Sequence, residues 1–128
     1  MNVLRTGIDL IEVSRFASQR PELKERFEAR VFTEAERAYC KGLDQHLAGR
    51  FAAKEAVSKA LGCGIGEVSF QDIEILNDDL GMPVLYLHGK AAERAAALGL
   101  TVWSVSITHL KEYAAAVAAG MGEKIAES

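Results

Sequence analysis

Asp44-Gln45-His46-Leu47-Ala48-Gly49-Arg50-Phe51-Ala52-Ala53-Lys54-Glu55-Ala56-Val57-Ser58-Lys59-Ala60-Leu61 runs into Gly62. It is rich in Ala, Leu, Lys and Glu, residues that lose little on entering a helix, and Gly62 suits the left-handed turn at a helix end. The stretch predicts the longest helix of the chain. At about 100° per residue, Leu47, Phe51, Val57 and Leu61 share one apolar arc. Arg50 and Lys54 fall inside that arc, and Glu55 and Lys59 border it as an i,i+4 pair. Ala48, Ala52, Ala56 and Ala60 form a ladder on the opposite side, where another backbone can approach closely, so burial on two sides is expected.

Charges in a buried arc cost several kcal/mol unless paired or ligated. Two readings account for them. Arg50 and Lys54 reach solvent while Glu55 pairs with Lys59, or the cations and the carboxylate form a site for a phosphate-rich ligand carrying Mg²⁺. That ion is usually held by one or two carboxylates, with phosphates and waters completing its shell.

Outward from the helix, residues 2 to 10 read as a strand around Gly7 with Asp9 at its exit. Asp9 is either a turn or capping residue or a second carboxylate. A helix carrying Arg15 follows. Pro21 opens another with Phe27 and Val31 one turn apart, and Thr33-Glu34-Ala35-Glu36 is a capping box. Val68 to Leu76 and Val84 to Leu87 read as a hairpin about the turn Asn77–Gly81. Ala91 to Leu98 reads as a helix ended by Gly99, and Val102 to Ile107 as a strand. His109-Leu110-Lys111 turns the chain, and Tyr113 to Ala119 fits a pairing strand better than a helix. The expected class is α+β, an antiparallel sheet packed with a long central helix and shorter helices.

The chain has 128 residues, 49% of them hydrophobic and 26% charged, which fits one globular domain over 1–128 with a core that needs no staples. Its 15 basic and 18 acidic residues give a net charge of −3, against a general nucleic-acid binder. Cys40 and Cys63 make no metal or disulfide pattern and suit a reducing cytoplasm. The N-terminus lacks a signal-peptide layout, and no apolar run approaches the roughly 20 residues that span a bilayer. No Gly-rich nucleotide loop of the usual kinds precedes a helix; Gly62-Cys63-Gly64-Ile65-Gly66 follows one, a weak signal of phosphate cradling. His109, ending Ser104-Val105-Ser106-Ile107-Thr108, can donate to phosphate or move a proton near neutral pH. His46 and His88 read as surface residues.

These segments resemble the short bacterial type of 4′-phosphopantetheinyl transferase, the holo-[acyl-carrier-protein] synthases. The resemblance rests on Gly7-Ile8-Asp9-Leu10-Ile11-Glu12-Val13 with Arg15, Phe32-Thr33-x-x-Glu36, and Arg50-Phe51-Ala52-Ala53-Lys54-Glu55-Ala56 through Lys59-Ala60-Leu61-Gly62. Phe70-Gln71-Asp72-Ile73-Glu74-Ile75, Gly81-Met82-Pro83 and Ser104 to His109 extend it over nearly the whole chain. The Arg50 to Gly62 segment is its most specific part.

Such enzymes transfer the phosphopantetheine arm of coenzyme A to a serine of an acyl carrier protein in fatty acid biosynthesis, releasing adenosine 3′,5′-bisphosphate. The resemblance implies Asp9 and Glu55 as Mg²⁺ carboxylates that also serve catalysis with Lys59. It implies Arg50, Lys54 and Lys59 along the phosphates of coenzyme A, with Gly81, Pro83 and His109 near its nucleotide. It further implies trimers with active sites at subunit boundaries. Arg5 stands where the family often has glycine, and Cys63 where threonine is common. Residues 13 to 30 carry five basic and three acidic side chains, so Arg15 is a candidate contact for an acidic carrier protein. A non-catalytic binder of coenzyme A, or a structural subunit whose charges only pair, are the rival classes. Mg²⁺-dependent mass gain on a carrier protein separates them.

Overall fold

The computed structural model describes residues 1–17 and 20–124. Strand β1 (Asn2–Glu12) is followed by helices α1 (Ser14–Ala17), α2 (Pro21–Val31), α3 (Glu34–Cys40) and α4 (Asp44–Leu61). Then come a 3₁₀ turn (Phe70–Asp72), strands β2 (Ile73–Asn77) and β3 (Pro83–Leu87), helix α5 (Gly89–Leu98), and strands β4 (Leu100–His109) and β5 (Tyr113–Glu123). One antiparallel sheet has the order β1-β5-β4, and β2 and β3 form a second. This is the expected α+β arrangement.

Helix α4 lies across the three-stranded sheet on its alanine side. Ala48, Ala52, Ala56 and Ala60 are fully buried, as are or nearly are Ala114, Ala116 and Ala118 beneath them on β5. Small residues on both surfaces bring the backbones together. A Cβ on Gly7 of β1 would stand 1.8 Å from the Ala56 carbonyl oxygen, and one on Gly49 would stand 2.9 Å from Ile107 Cγ2 of β4. These two approaches fix a diagonal crossing, with the start of α4 over β4 and its end over β1. The opposite side of α4 carries Leu47, Phe51, Val57 and Leu61, all buried. Phe51 meets Phe16, Phe27 and Phe70 at ring separations of 5.8, 5.9 and 5.4 Å. Burial on two sides follows, as the alanine ladder implies.

Arg5 reaches the last turn of α4, donating from Nε to the Ala60 carbonyl at 2.6 Å, while Arg94 Nε donates to Leu61 O at 3.0 Å. Two guanidinium groups thus satisfy carbonyls that have no partner inside the helix. Capping at α3 is also as expected: Thr33 Oγ1 accepts from Glu36 N, and Glu36 accepts from Thr33 N.

The strand expected from Val68 begins only at Ile73. Ser69 Oγ accepts from Gln71 N at 3.1 Å, turning the backbone into the 3₁₀ segment before pairing starts. The strand expected over Tyr113 to Ala119 extends to Glu123.

Among the described residues, none covers one face of the three-stranded sheet. Leu4, Ile8 and Leu10 of β1, Val102 of β4, and Val117 and Met121 of β5 are 42 to 69% exposed. The register aligns Leu4 with Met121 and Val102, and Ile8 with Val117, so they form contiguous rows.

Candidate active site

Glu55 emerges from the C-terminal half of α4 where the helix passes over β1. Among the described residues it has no ion-pair partner. Partial burial, then the negative charge of Asp9, push its carboxyl above the ordinary glutamate range, with Lys59 and Arg15 opposing. Asp9 and Glu55 are therefore close enough to repel. Lys59, one turn beyond Glu55, turns to β1 instead of to Glu55: its Nζ donates to Ile8 O at 2.9 Å and to Asp9 Oδ1 at 3.2 Å. Of the two sequence readings, pairing of Glu55 with Lys59 is not what forms. Arg15 belongs to the same neighbourhood, its guanidinium 5.9 Å from the Phe51 ring centre and its charge felt by Glu55.

Two carboxylates with an adjacent ammonium make a site for a hard cation shared with a phosphorylated ligand. Among the described residues no cluster of three or more His, Cys, Asp or Glu side chains is suited to hold a metal. Mg²⁺ commonly takes only one or two carboxylates and completes its octahedron with phosphate oxygens and water. The oxygen donors of Asp9 and Glu55, with a surplus of negative charge that raises one of them, fit that ion.

The second cluster lies near the start of α4. A cavity of about 190 Å³ is lined by Tyr39, His46, Arg50, Asn77, Gly81, Pro83 and His109 among others. Gly81, Pro83 and His109 thus share one lining, and Arg50, expected beside Lys54 and Lys59, joins them there. Arg50 is only 4% exposed. Its guanidinium lies 4.5 Å from the centre of the Tyr39 ring, and its Nη2 donates to Asn77 Oδ1. Asn77 Nδ2 in turn donates to Gly81 O at 2.9 Å, tying the turn to the arginine. Among the described residues, two buried polar atoms of these lining side chains have no hydrogen-bond partner, Arg50 Nε and His46 Nδ1. A larger cavity of about 610 Å³ lies between β1's end, α1, the start of α4 and the β4–β5 turn. It contains neither Asp9, Glu55 nor Arg50, so the chemistry is assigned to the other two clusters.

Lys54 does not join either cluster, which corrects the expectation that it lines a phosphate path. Its side chain is wholly buried and pairs with Glu36 at 2.7 Å. Its Nζ also donates to Phe70 O at 2.8 Å and Ile73 O at 2.5 Å. Glu36 accepts from Ile75 N at 2.9 Å as well, so the pair binds α3, α4 and β2 to one another. Burial lowers the Lys54 pKa and the Glu36 charge opposes that. A group so enclosed and satisfied has no hydrogen left for a ligand.

His46, expected at the surface, is half-buried: its ring stacks on Tyr39 at 5.6 Å and lies 6.0 Å from His109. Tyr39, His46 and Asn77 were not legible as site residues. One signal was present, because His46 and Arg50 stand four residues apart on one helix face. His88 is exposed as expected and faces Glu74 at 3.1 Å.

The family model described as the 4′-phosphopantetheinyl transferase superfamily matches residues 5–118. A holo-[acyl-carrier-protein] synthase of Herpetosiphon aurantiacus is 46% identical over 127 residues, covering 94% of this chain and all of that one. The crystal structure of the Helicobacter pylori holo-[acyl-carrier-protein] synthase in complex with coenzyme A superposes with a TM-score of 0.79 at 34% identity, over 88% of this chain and 96% of that one. The Bacillus anthracis holo-(acyl-carrier-protein) synthase, in complex with CoA (3′,5′-ADP), gives 0.76 at 39% identity, over 96% of this chain and 100% of that one.

Proposed function

This chain belongs to the 4′-phosphopantetheinyl transferase superfamily and, within it, to the holo-[acyl-carrier-protein] synthases, and on that premise we propose that it moves the 4′-phosphopantetheine arm of coenzyme A to a serine of an apo acyl carrier protein, using Mg²⁺ and releasing adenosine 3′,5′-bisphosphate. The observation that carries this reading is the unpaired, half-buried Glu55 beside Asp9 and Lys59.

Displacement at phosphorus asks a protein mainly to position the reactants and to neutralise charge on the phosphoryl oxygens and leaving group. Asp9 and Glu55 are the residues that would hold Mg²⁺, and the bound ion supplies charge neutralisation on the diphosphate. Lys59 gives up its contact with Asp9 to meet a phosphate oxygen. The acceptor serine must shed a proton as it attacks, and Asp9 and Glu55 are the groups beside it able to take one. Arg50, Gly81, Pro83 and His109 receive the nucleotide end. Arg15, exposed next to Glu55, meets the acidic carrier protein where its serine must arrive.

Asp9 and Lys59 lie over β1, while Arg50 and His109 lie at the β4 side. Arg50 and Glu55 are five positions apart on α4, which at about 100° per residue turns them about 140° from each other. Within one chain the helix separates the two clusters. A homotrimer, with the carboxylates of one subunit facing the Arg50 cavity of the next, unites them. The uncovered sheet face supports such assembly, because between Glu12 at one end and Glu123 at the other its outward positions are apolar or uncharged, and contiguous exposed apolar surface of this kind marks an interface. The two cysteines, one buried and one half-buried and both unpaired, suit the cytoplasm, where the chain acts as a single transferase domain in fatty acid biosynthesis.

Incubation with apo carrier protein, coenzyme A and Mg²⁺, followed by intact mass, tests the reading. A mass gain that requires Mg²⁺, vanishes with chelator and is lost in Glu55→Gln supports it. No gain in the wild type refutes it.

A further inference from the structure

We propose that His46 and Arg50 form a phosphate-binding pair in the small cavity, and that His46 takes up a proton from solvent as the phosphate enters. The inference rests on the reading that the nucleotide end of coenzyme A occupies this cavity; His46 is its new element.

Both side chains point the same way for a helical reason: they stand four residues apart on α4, and the Tyr39 ring lies against both, 5.6 Å from the imidazole and 4.5 Å from the guanidinium. That shared aromatic support orients two flat cationic or cation-forming groups side by side. Each keeps one buried nitrogen without a partner, Nδ1 of His46 and Nε of Arg50. Buried polar groups are nearly always satisfied, and two unpartnered nitrogens, among the described residues, on neighbouring side chains that line one cavity call for a ligand that serves both. Arg50 Nε is a donor and needs an acceptor. A phosphate supplies several acceptor oxygens in one group, and charge-assisted hydrogen bonds from guanidinium and imidazolium to such oxygens are the strong kind.

The charged groups around His46 explain why a proton accompanies the anion. Arg50 on its own helix and His109 at the end of β4 are cations or cation-formers close to it. On its other side the larger cavity brings Glu12, Lys111 and Glu112 into the same lining, and Asp44 is held by Lys24 at 2.8 Å. Burial first, then His109 and Arg50, hold the His46 imidazole below the ordinary histidine range, which favours its neutral form in the free protein. An arriving phosphate adds negative charge where two positive groups lie close, and raises the imidazole pKa. A group whose pKa rises on binding takes up a proton in the interval between its free and bound values. Ligand affinity is then greatest at low pH and declines as pH rises through the bound value.

Calorimetric titration of coenzyme A and of adenosine 3′,5′-bisphosphate, in buffers of differing ionisation enthalpy, reads the proton directly. At about pH 7.5, above the second phosphate pKa of about 6, the ligand contributes little to the count. The expected result is net uptake by the wild type and by His109→Gln, and none by His46→Gln or His46→Phe; Phe retains the stack on Tyr39. Above the phosphate's own titration, wild-type affinity is expected to fall as pH rises, and that of His46→Gln to vary much less. Equal uptake by wild type and His46→Gln overturns the proposal. The carrier-protein mass assay on the wild type separates the two ideas: no transfer defeats the functional reading, whereas transfer with unchanged uptake in His46→Gln defeats the His46 assignment alone.

Discussion

Replacing Lys54 with methionine is expected to cost stability and to leave coenzyme A recognition alone. Methionine keeps the length and apolar stem but removes the ammonium. Glu36 then loses its only ion-pair partner among the described residues while retaining the Thr33 and Ile75 amides, and the carbonyls of Phe70 and Ile73 lose a donor. Breaking one side of a buried pair typically costs about 3–5 kcal/mol because the remaining charge stays enclosed. The two amides still bound to Glu36 place the loss near the middle, about 4 kcal/mol. For 128 residues, an unfolding entropy of about 2.1 cal/mol/K per residue gives about 270 cal/mol/K in all, so Tm should fall by about 15 °C. The double variant Lys54→Met/Glu36→Gln should recover about half of that, since a neutral amide leaves no buried charge and can donate to a freed carbonyl. Calorimetric melting at fixed protein concentration, without ligand, measures both, and steady-state transfer at a temperature where Lys54→Met is folded measures KM. The reasoning fails if Tm moves by less than about 3 °C while the KM for coenzyme A rises about tenfold or more, for then Lys54 serves the ligand and not the fold.

Because a carboxyl must lose its proton to ligate a cation, the raised Glu55 pKa makes apparent Mg²⁺ affinity decline with falling pH earlier than an ordinary glutamate would; Mg²⁺ titrations of activity across pH 5 to 8 check this, and a flat profile contradicts it. Val117→Glu places a charge in the middle of the uncovered sheet face, 42% exposed in the single chain, and should shift sedimentation from trimer to monomer and reduce transfer by more than about tenfold, since the two clusters no longer meet. Arg15→Ala should raise the KM for carrier protein about threefold to tenfold and change that for coenzyme A little, as measured by varying each substrate in turn.

The placement of several candidate residues was legible because it follows from local rules, although their roles came from the family resemblance. Glu55 and Lys59 are placed on one side of α4 by helical spacing alone, and Asp9 by its position two residues past Gly7, where β1 passes under the helix. Lys54 shows where periodicity stops. Its position in the apolar arc was right, but its partner Glu36 comes from the capping box of another helix, and no spacing along the chain relates the two. His46 was misjudged for a related reason, since its burial is made by Tyr39 from α3 and by the end of β4. The late start of β2 was hidden in Ser69, whose side chain competes for the backbone in a way alternation does not report.

The order of helices and strands and the two-sided burial of α4 were determined by sequence, because the patterns that mark them lie within a turn or two, whereas Lys59 finds its carboxylate on β1, fifty positions away. Tertiary structure alone decided which charges are free. Lys54 and Arg50 occupy the same arc of the same helix, yet one is wholly satisfied by Glu36 and two carbonyls while the other lines a cavity and keeps a buried nitrogen that no described residue meets. The difference arises where α3, β2 and the turn at Gly81 pack against the helix, since enclosure by distant segments, and not the residue's own position, determines whether a buried cation is a strut or a hand for a ligand.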